Sequence, residues 1–270
     1  MPYVRTNGIR LYYELHGSGR PLVLVPGLGY SGWMWHRMIP GLAEHFQVIS
    51  IDNRGSGQSD KPAGPYTAGM LAADVVGLLD NLGLATAHIM GHSMGGFVAQ
   101  AFALDYPERL DRLVLSATNF GGPRHVPITP EAMAVLTDLS GDPIERLRRG
   151  IVISCAPGFA EANPDMVERW VRYRIENPID PAGYQAQLAI GLGLIAEAVA
   201  FEHKLERVAA PTLILFGEYD KVVPPGNAAL LASKIAGARV EILPDAGHFF
   251  PFEVPDAADA AVIRFLGGVG

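Results

Sequence analysis

The chain has 270 residues, 49% of them hydrophobic, one cysteine and a formal net charge of −7 at pH 7. With a pI near 5.6 and no run of Lys or Arg, the balance argues against nucleic acid and anionic membrane surfaces as main partners. That length suits one large α/β domain or two small ones, and a lone Cys155 excludes an intrachain disulfide framework.

The segment Met1 to Gly8 has no apolar leader region, and no apolar stretch is long enough to span a bilayer. A soluble cytoplasmic protein is therefore expected. Residues 3–16 alternate in polarity and break at Asn7-Gly8, which reads as a hairpin. Leu22-Val23-Leu24-Val25 is a fully buried kind of strand, ended by Pro26-Gly27-Leu28-Gly29. Residues 31–45 are expected to form a helix with Trp33, Trp35, Met38, Ile39 and Leu42 on its packed face. Phe46 to Ile51 is the next strand, and Asp52 to Ser59 a turn-rich loop. Residues 68–83 read as an amphipathic helix.

A short apolar run, Ala87 to Met90, then leads into Gly91-His92-Ser93-Met94-Gly95-Gly96, and Phe97, Val98, Ala101 and Phe102 recur at helical spacing. In a chain with 31 glycines the Gly-x-Ser-x-Gly pattern alone carries little. Its context does: a buried strand turning sharply into a helix forces strained dihedrals on Ser93 and leaves no room for a side chain at Gly91 or Gly95. The turn pushes the hydroxyl out of the sheet, in front of a helix N-terminus that favours developing negative charge.

Leu110 to Ser116 is another strand. From about 120 to 205 the rhythm changes to repeated helix starts, with Thr129-Pro130, Asp142-Pro143, Asn163-Pro164 and Asp180-Pro181 pairing a cap residue with a proline. The strand–helix alternation resumes with Thr212 to Phe216, a helix over 226–236, a strand from Arg239 to Leu243 and a last helix over 254–266. Alternation of this kind makes a parallel sheet with crossover helices, interrupted by a helical insertion.

A serine hydroxyl needs a general base oriented by a carboxylate before it acts as a nucleophile. Among eight histidines, His92 adjoins Ser93 on the strained turn, so its side chain is expected to project away from the hydroxyl. His248 follows the last strand, in Pro244-Asp245-Ala246-Gly247-His248, on a loop at a strand's C-terminal end, where open α/β sheets bind ligands. Asp220 occupies the corresponding loop after the preceding strand. The order Ser93, Asp220, His248 is the one expected of an α/β-hydrolase. Cys155, in the apolar run Ile151 to Ala156, reads as a buried inert thiol.

On these residues the chain resembles the α/β-hydrolase superfamily. The resemblance covers nearly everything outside the insertion, including the Ser93 elbow, Gly217-x-x-Asp220, Gly247-His248 and Asp52-x-Arg54-Gly55-x-Gly57-x-Ser59. Among its branches the chain looks most like small cytoplasmic carboxylesterases and 3-oxoadipate enol-lactonase-type enzymes. This implies an eight-stranded, mostly parallel sheet flanked by helices, a core of residues 1–120 and 206–270, and a helical cap over 121–205. It further implies a serine hydrolase cleaving small to medium acyl esters through an acyl-enzyme on Ser93, without cofactor or metal. Asp220 and His248 complete the catalytic triad, and the amides of Met94 and Leu28 form the oxyanion hole. Members commonly carry His-Gly where this chain has Pro26-Gly27, but the donor at Leu28 is a backbone group. Phe249 and Trp33 are candidate substrate contacts, although Trp33 and Trp35 also suit core packing. The apolar faces of the insertion (Met133, Val135, Leu136, Leu139; Leu188, Leu192, Leu194, Ile195) suit a small apolar group. An inward-facing arginine among Arg124, Arg146, Arg148, Arg149, Arg169, Arg172 and Arg174 would favour a carboxylate-bearing substrate. The alternatives are an enol-lactonase or carbon–carbon bond hydrolase using the same triad, a perhydrolase or haloperoxidase, and a hydrolase-fold ligand receptor.

Overall fold

The computed structural model describes residues 2–138 and 140–268. Eight strands form one sheet: β1 (Tyr3–Thr6), β2 (Ile9–His16), β3 (Arg20–Val25), β4 (Phe46–Ile51), β5 (Ala87–His92), β6 (Leu110–Ser116), β7 (Thr212–Gly217) and β8 (Arg239–Leu243). Their order is β1-β2-β4-β3-β5-β6-β7-β8. The β1–β2 and β2–β4 pairs are antiparallel; the other pairs, from β3–β4 to β7–β8, are parallel. The uniformly apolar strands belong in the middle of such a sheet, because helices cover both faces: Leu22 to Val25 are fully buried, and Val23 lies between Ile49 and Ile89.

On one face pack α2 (Ala68–Asn81), α3 (Met94–Asp105) and α9 (Gly226–Ala232), bringing Leu71, Val75, Val98, Phe102 and Leu231 onto the sheet. The other face is covered by α1 (Ile39–Leu42) and α11 (Pro255–Leu266), with Trp35, Leu42, Val262 and Phe265. Each buried side chain of this size contributes roughly 1.5–3 kcal/mol.

Between β6 and β7 lie α4 (Pro130–Thr137), α5 (Pro143–Ser154), α6 (Phe159–Ala162), α7 (Pro164–Glu176) and α8 (Pro181–Gly193). Thr129, Asp142 and Asp180 cap α4, α5 and α8 through their side chains, as their sequence positions require. Asn163 differs: its Nδ2 donates back to Phe159 O at 2.9 Å, so it closes α6. Ile151, Val167, Trp170 and Val171 of this insertion pack on Phe249 and Phe252. Leu139, counted with the apolar face of α4 in the sequence, lies outside the described residues.

The structure departs from the sequence expectations in three places. Residues 31–45 form a short 3-10 turn, Gly32–Trp35, followed by the single-turn α1. Asp52 Oδ1 takes the Gly32 amide at 2.8 Å, and Pro40 has no amide to extend a longer helix. The 226–236 helix stops at Ala232, where Lys234 N bonds Leu231 O in a tighter turn. The single-turn α10 (Phe250–Glu253) precedes α11; the paired prolines Pro251 and Pro255 each open a turn. Among the described residues no helix is long and apolar enough to cross a membrane.

Candidate active site

Ser93 stands at the junction of β5 and α3 with φ 55° and ψ −118°, a conformation that persists only when its surroundings hold it. They do: Ser93 N donates to Ser116 O at 2.9 Å, and Ser93 O accepts from Gly96 N at 2.9 Å and from Thr118 Oγ1 at 2.8 Å. The flanking glycines are required by space. A Cβ on Gly91 would lie 2.1 Å from Gly95 O, and one on Gly95 would lie 2.2 Å from Val25 O.

The loops after β7 and β8 meet beside this elbow. His248 Nδ1 lies 2.8 Å from Asp220 Oδ2. The other oxygen of Asp220 accepts from Val222 N at 2.8 Å and Val223 N at 2.7 Å. Asp220 and His248 side chains are 0% and 7% exposed, so the pair operates away from bulk water, where its hydrogen bond is strongest. A carboxylate accepting at Nδ1 sets the tautomer: the proton sits on Nδ1 and Nε2 keeps its lone pair.

Two further buried groups frame His248. The His92 ring centre is 4.9 Å from that of His248, and His92 Nδ1 bonds Ser116 Oγ at 2.8 Å. Burial and the neighbouring His248 hold its pKa well below the ordinary histidine value, so His92 is a neutral wall turned toward Ser116. Glu253 accepts from Gly247 N at 2.9 Å and from Ala156 N at 2.6 Å, and burial pushes its carboxyl up to about 7. Nothing in the local sequence marks Glu253; its partners meet only in the fold.

A cavity of about 800 Å³ opens on the elbow, lined by Ser93, His248, Leu28, Tyr30 and Phe249 from the sheet side and by Leu136, Leu147, Ile151, Arg174 and Tyr184 from the insertion. A smaller one, about 140 Å³, is lined by Leu28, Ser93, Met94, Phe97, Leu188 and Val223. Leu28 and Met94 thus flank Ser93, and among the described residues neither amide donates to a protein acceptor. Phe249 faces the larger cavity and packs on Trp170. Trp33, expected beside the substrate, sits one ring further out. It packs on Tyr30, Trp170 and Tyr173 and lines a separate cleft with Asp52 and Asn177. Trp35 is core, fully buried.

Of the seven insertion arginines, Arg124, Arg148 and Arg149 pair with carboxylates, and Arg169 and Arg172 are exposed. Arg146 and Arg174 line the larger cavity. Arg174 donates to Gly29 O at 2.5 Å and lies 4.3 Å over the Tyr30 ring. Pro26 O, at the position where the resemblance implies a histidine–glycine pair, is held by Asn53 Nδ2 at 3.0 Å. Cys155 is 3% exposed, and burial pushes its thiol up.

The chain has relatives among known proteins. A family model described as the alpha/beta hydrolase fold matches residues 20–255. A 2-hydroxy-6-oxononadienedioate/2-hydroxy-6-oxononatrienedioate hydrolase of Burkholderia vietnamiensis is 32% identical, over 96% of this chain and 91% of its own. A solved hydrolase from Pseudomonas aeruginosa superposes with a TM-score of 0.81 at 32% identity, covering 98% of each chain. The enol-lactonase from Burkholderia xenovorans superposes with a TM-score of 0.80 at 30% identity, covering 98% of this chain and 100% of its own. The chain belongs to the α/β-hydrolase family.

Proposed function

We propose that the protein is a serine hydrolase of carboxylic esters with small to medium acyl groups. Ser93 is the nucleophile and His248 the base; Asp220 holds the imidazole tautomer and stabilises its charged form. The hydroxyl attacks the ester carbonyl as His248 takes its proton. The oxyanion is held by the amides of Leu28 and Met94, and His248 returns the proton to the leaving alcohol. Water then attacks the acyl-enzyme by the same route. Residues 121–205 act as the cap and the remainder as the core. The observation that carries this reading is the buried Asp220–His248 pair, whose His248 lines the same cavity as the strained Ser93.

His248, which must reach the leaving oxygen, lines the larger cavity and not the smaller. This supports a leaving group in the larger space and an acyl group beside Met94. The smaller pocket, about 140 Å³, suits a short acyl chain. Arg174 in the larger cavity favours a second reading, a lactone or carbon–carbon substrate carrying a carboxylate. The dienedioate hydrolase and enol-lactonase names of the relatives point the same way.

The test is turnover of p-nitrophenyl esters from acetate to palmitate. Ser93→Ala should cost on the order of 10⁴-fold or more in kcat/KM, and short acyl chains should be preferred. Undiminished turnover by Ser93→Ala overturns the proposal. A strong preference for esters bearing a free carboxylate, abolished by Arg174→Met, favours the second reading.

A further inference from the structure

Leu28 occupies the second position of a four-residue turn, Gly27-Leu28-Gly29-Tyr30, closed by Tyr30 N to Gly27 O at 3.1 Å. Gly29, third in the turn, has φ +67°, the sign that a type II turn requires there. Type I and type II turns differ mainly in the orientation of their middle peptide, here Leu28–Gly29. The Leu28 amide belongs to the peptide before it, so whatever anchors Gly29 holds the C-terminal side of Leu28 and with it the place of the turn.

The outer parts of the turn are held from the core, through Asn53 on Pro26 O and the closing bond of the turn itself. The Gly29 polar groups are held by the insertion. Gln187, on α8, accepts the Gly29 amide through Oε1 at 3.0 Å, across 158 positions of sequence. Arg174, on α7, takes the Gly29 carbonyl. Gln187 is 0% exposed, and its Nε2 donates to Arg54 O at 2.9 Å. Both ends of this amide are therefore committed, one to the loop after β3 and one to the loop after β4. A Cβ on Gly29 would lie 2.9 Å from the Tyr184 ring, so the turn is also packed against α8.

From this arrangement we infer that Gln187 is a positioning residue for the reaction: it anchors Gly29, the residue after Leu28, and so holds the turn that carries the Leu28 amide in place beside Ser93. The oxyanion hole is complete only while α8 is docked, and the helices that wall the substrate cavity also set its chemistry. The inference rests on the proposal that Ser93 is the nucleophile and Leu28 an oxyanion donor.

The experiment measures kcat, KM and inhibition by a trifluoromethyl ketone, a mimic of the tetrahedral intermediate, for wild type, Gln187→Met, Gln187→Glu and Ser93→Ala. Losing an oxyanion donor outright costs about 10²–10³ in kcat. Displacing one should cost about 10- to 100-fold, with KM nearly unchanged, because the oxyanion forms after binding. Gln187→Met should show that loss, with the ketone weakened by a similar factor. Gln187→Glu keeps an acceptor for the Gly29 amide and, once protonated, a donor for Arg54 O, so relative to wild type it should recover most of the loss at low pH. If Gln187→Met does not fold, Gln187→Asn, one methylene too short to reach Gly29, makes the same comparison. An unchanged kcat, a kcat loss with undiminished ketone affinity, or a Gln187→Glu that at low pH is as impaired as Gln187→Met overturns the inference. Full activity in Ser93→Ala instead overturns the reading beneath it, and the inference with it.

Discussion

Glu253 and Ala156 are joined by a 2.6 Å hydrogen bond, carboxylate to backbone amide, that ties α10 to the end of the insertion helix α5. The same carboxylate holds Gly247, the neighbour of His248. Its pKa rises from 4.5 to about 7, chiefly because burial penalises the charged form. A raised acid pKa means that the folded state holds a proton the unfolded state has lost, so the stability contributed by Glu253 falls as pH rises from about 4.5 to about 7 and is level above that. The Glu253 contribution across that window is on the order of 3 kcal/mol. Urea denaturation of wild type and Glu253→Gln at pH 5 and pH 8 measures it: the wild type should lose its advantage over the variant as pH rises. An equal difference at both pH values contradicts the assignment.

Gly183 and Gly55 bring α8 and the loop after β4 into backbone contact. A Cβ on Gly183 would lie 2.0 Å from Gly55 O, with no flexible side chain available to yield. Gly183→Ala should therefore lift the start of α8, costing about 1–3 kcal/mol or more in stability, and should lower kcat with it, since Gln187 lies one turn further along. The urea midpoint and the turnover of purified Gly183→Ala check both. A variant of wild-type stability and activity shows that the contact relaxes at no cost.

Cys155 is a side chain with nucleophilic potential in the insertion core. Thiolate is the reactive form, and burial raises the thiol pKa. The native protein should react with a disulfide reagent such as dithionitrobenzoate only after unfolding, and Cys155→Ala should keep kcat within about twofold, as a change in one small buried apolar group would. Rapid labelling of the folded protein, with loss of turnover, would make Cys155 part of the site.

The strands, the elbow and the two acidic and basic loops were legible because each is a local pattern. Leu22 to Val25 announce a buried strand, and Gly91 and Gly95 mark a turn with no room for a Cβ. Asp220 and His248 follow their strands at once. What stayed hidden was produced by distance. Gln187 meets Gly29 across 158 residues, and Glu253 meets Ala156 across 97; neither pairing leaves a periodic trace. The sequence of α7 offered several arginines with equal claims, and only folding turned Arg174 inward while Arg169 and Arg172 remained exposed. Trp33 carried two readings, substrate contact and core packing, and its packing partners Trp170 and Tyr173 lie far from it in sequence.

The role of Ser93 as nucleophile of a hydrolytic site is probed at its root by labelling with a fluorophosphonate, which phosphonylates an activated serine, followed by peptide mass spectrometry and residual turnover on the same sample. One adduct is expected, on the peptide containing Ser93, with turnover lost in proportion to labelling and no adduct in Ser93→Ala or His248→Ala. An adduct on another residue, or full turnover in a fully labelled sample, would contradict it.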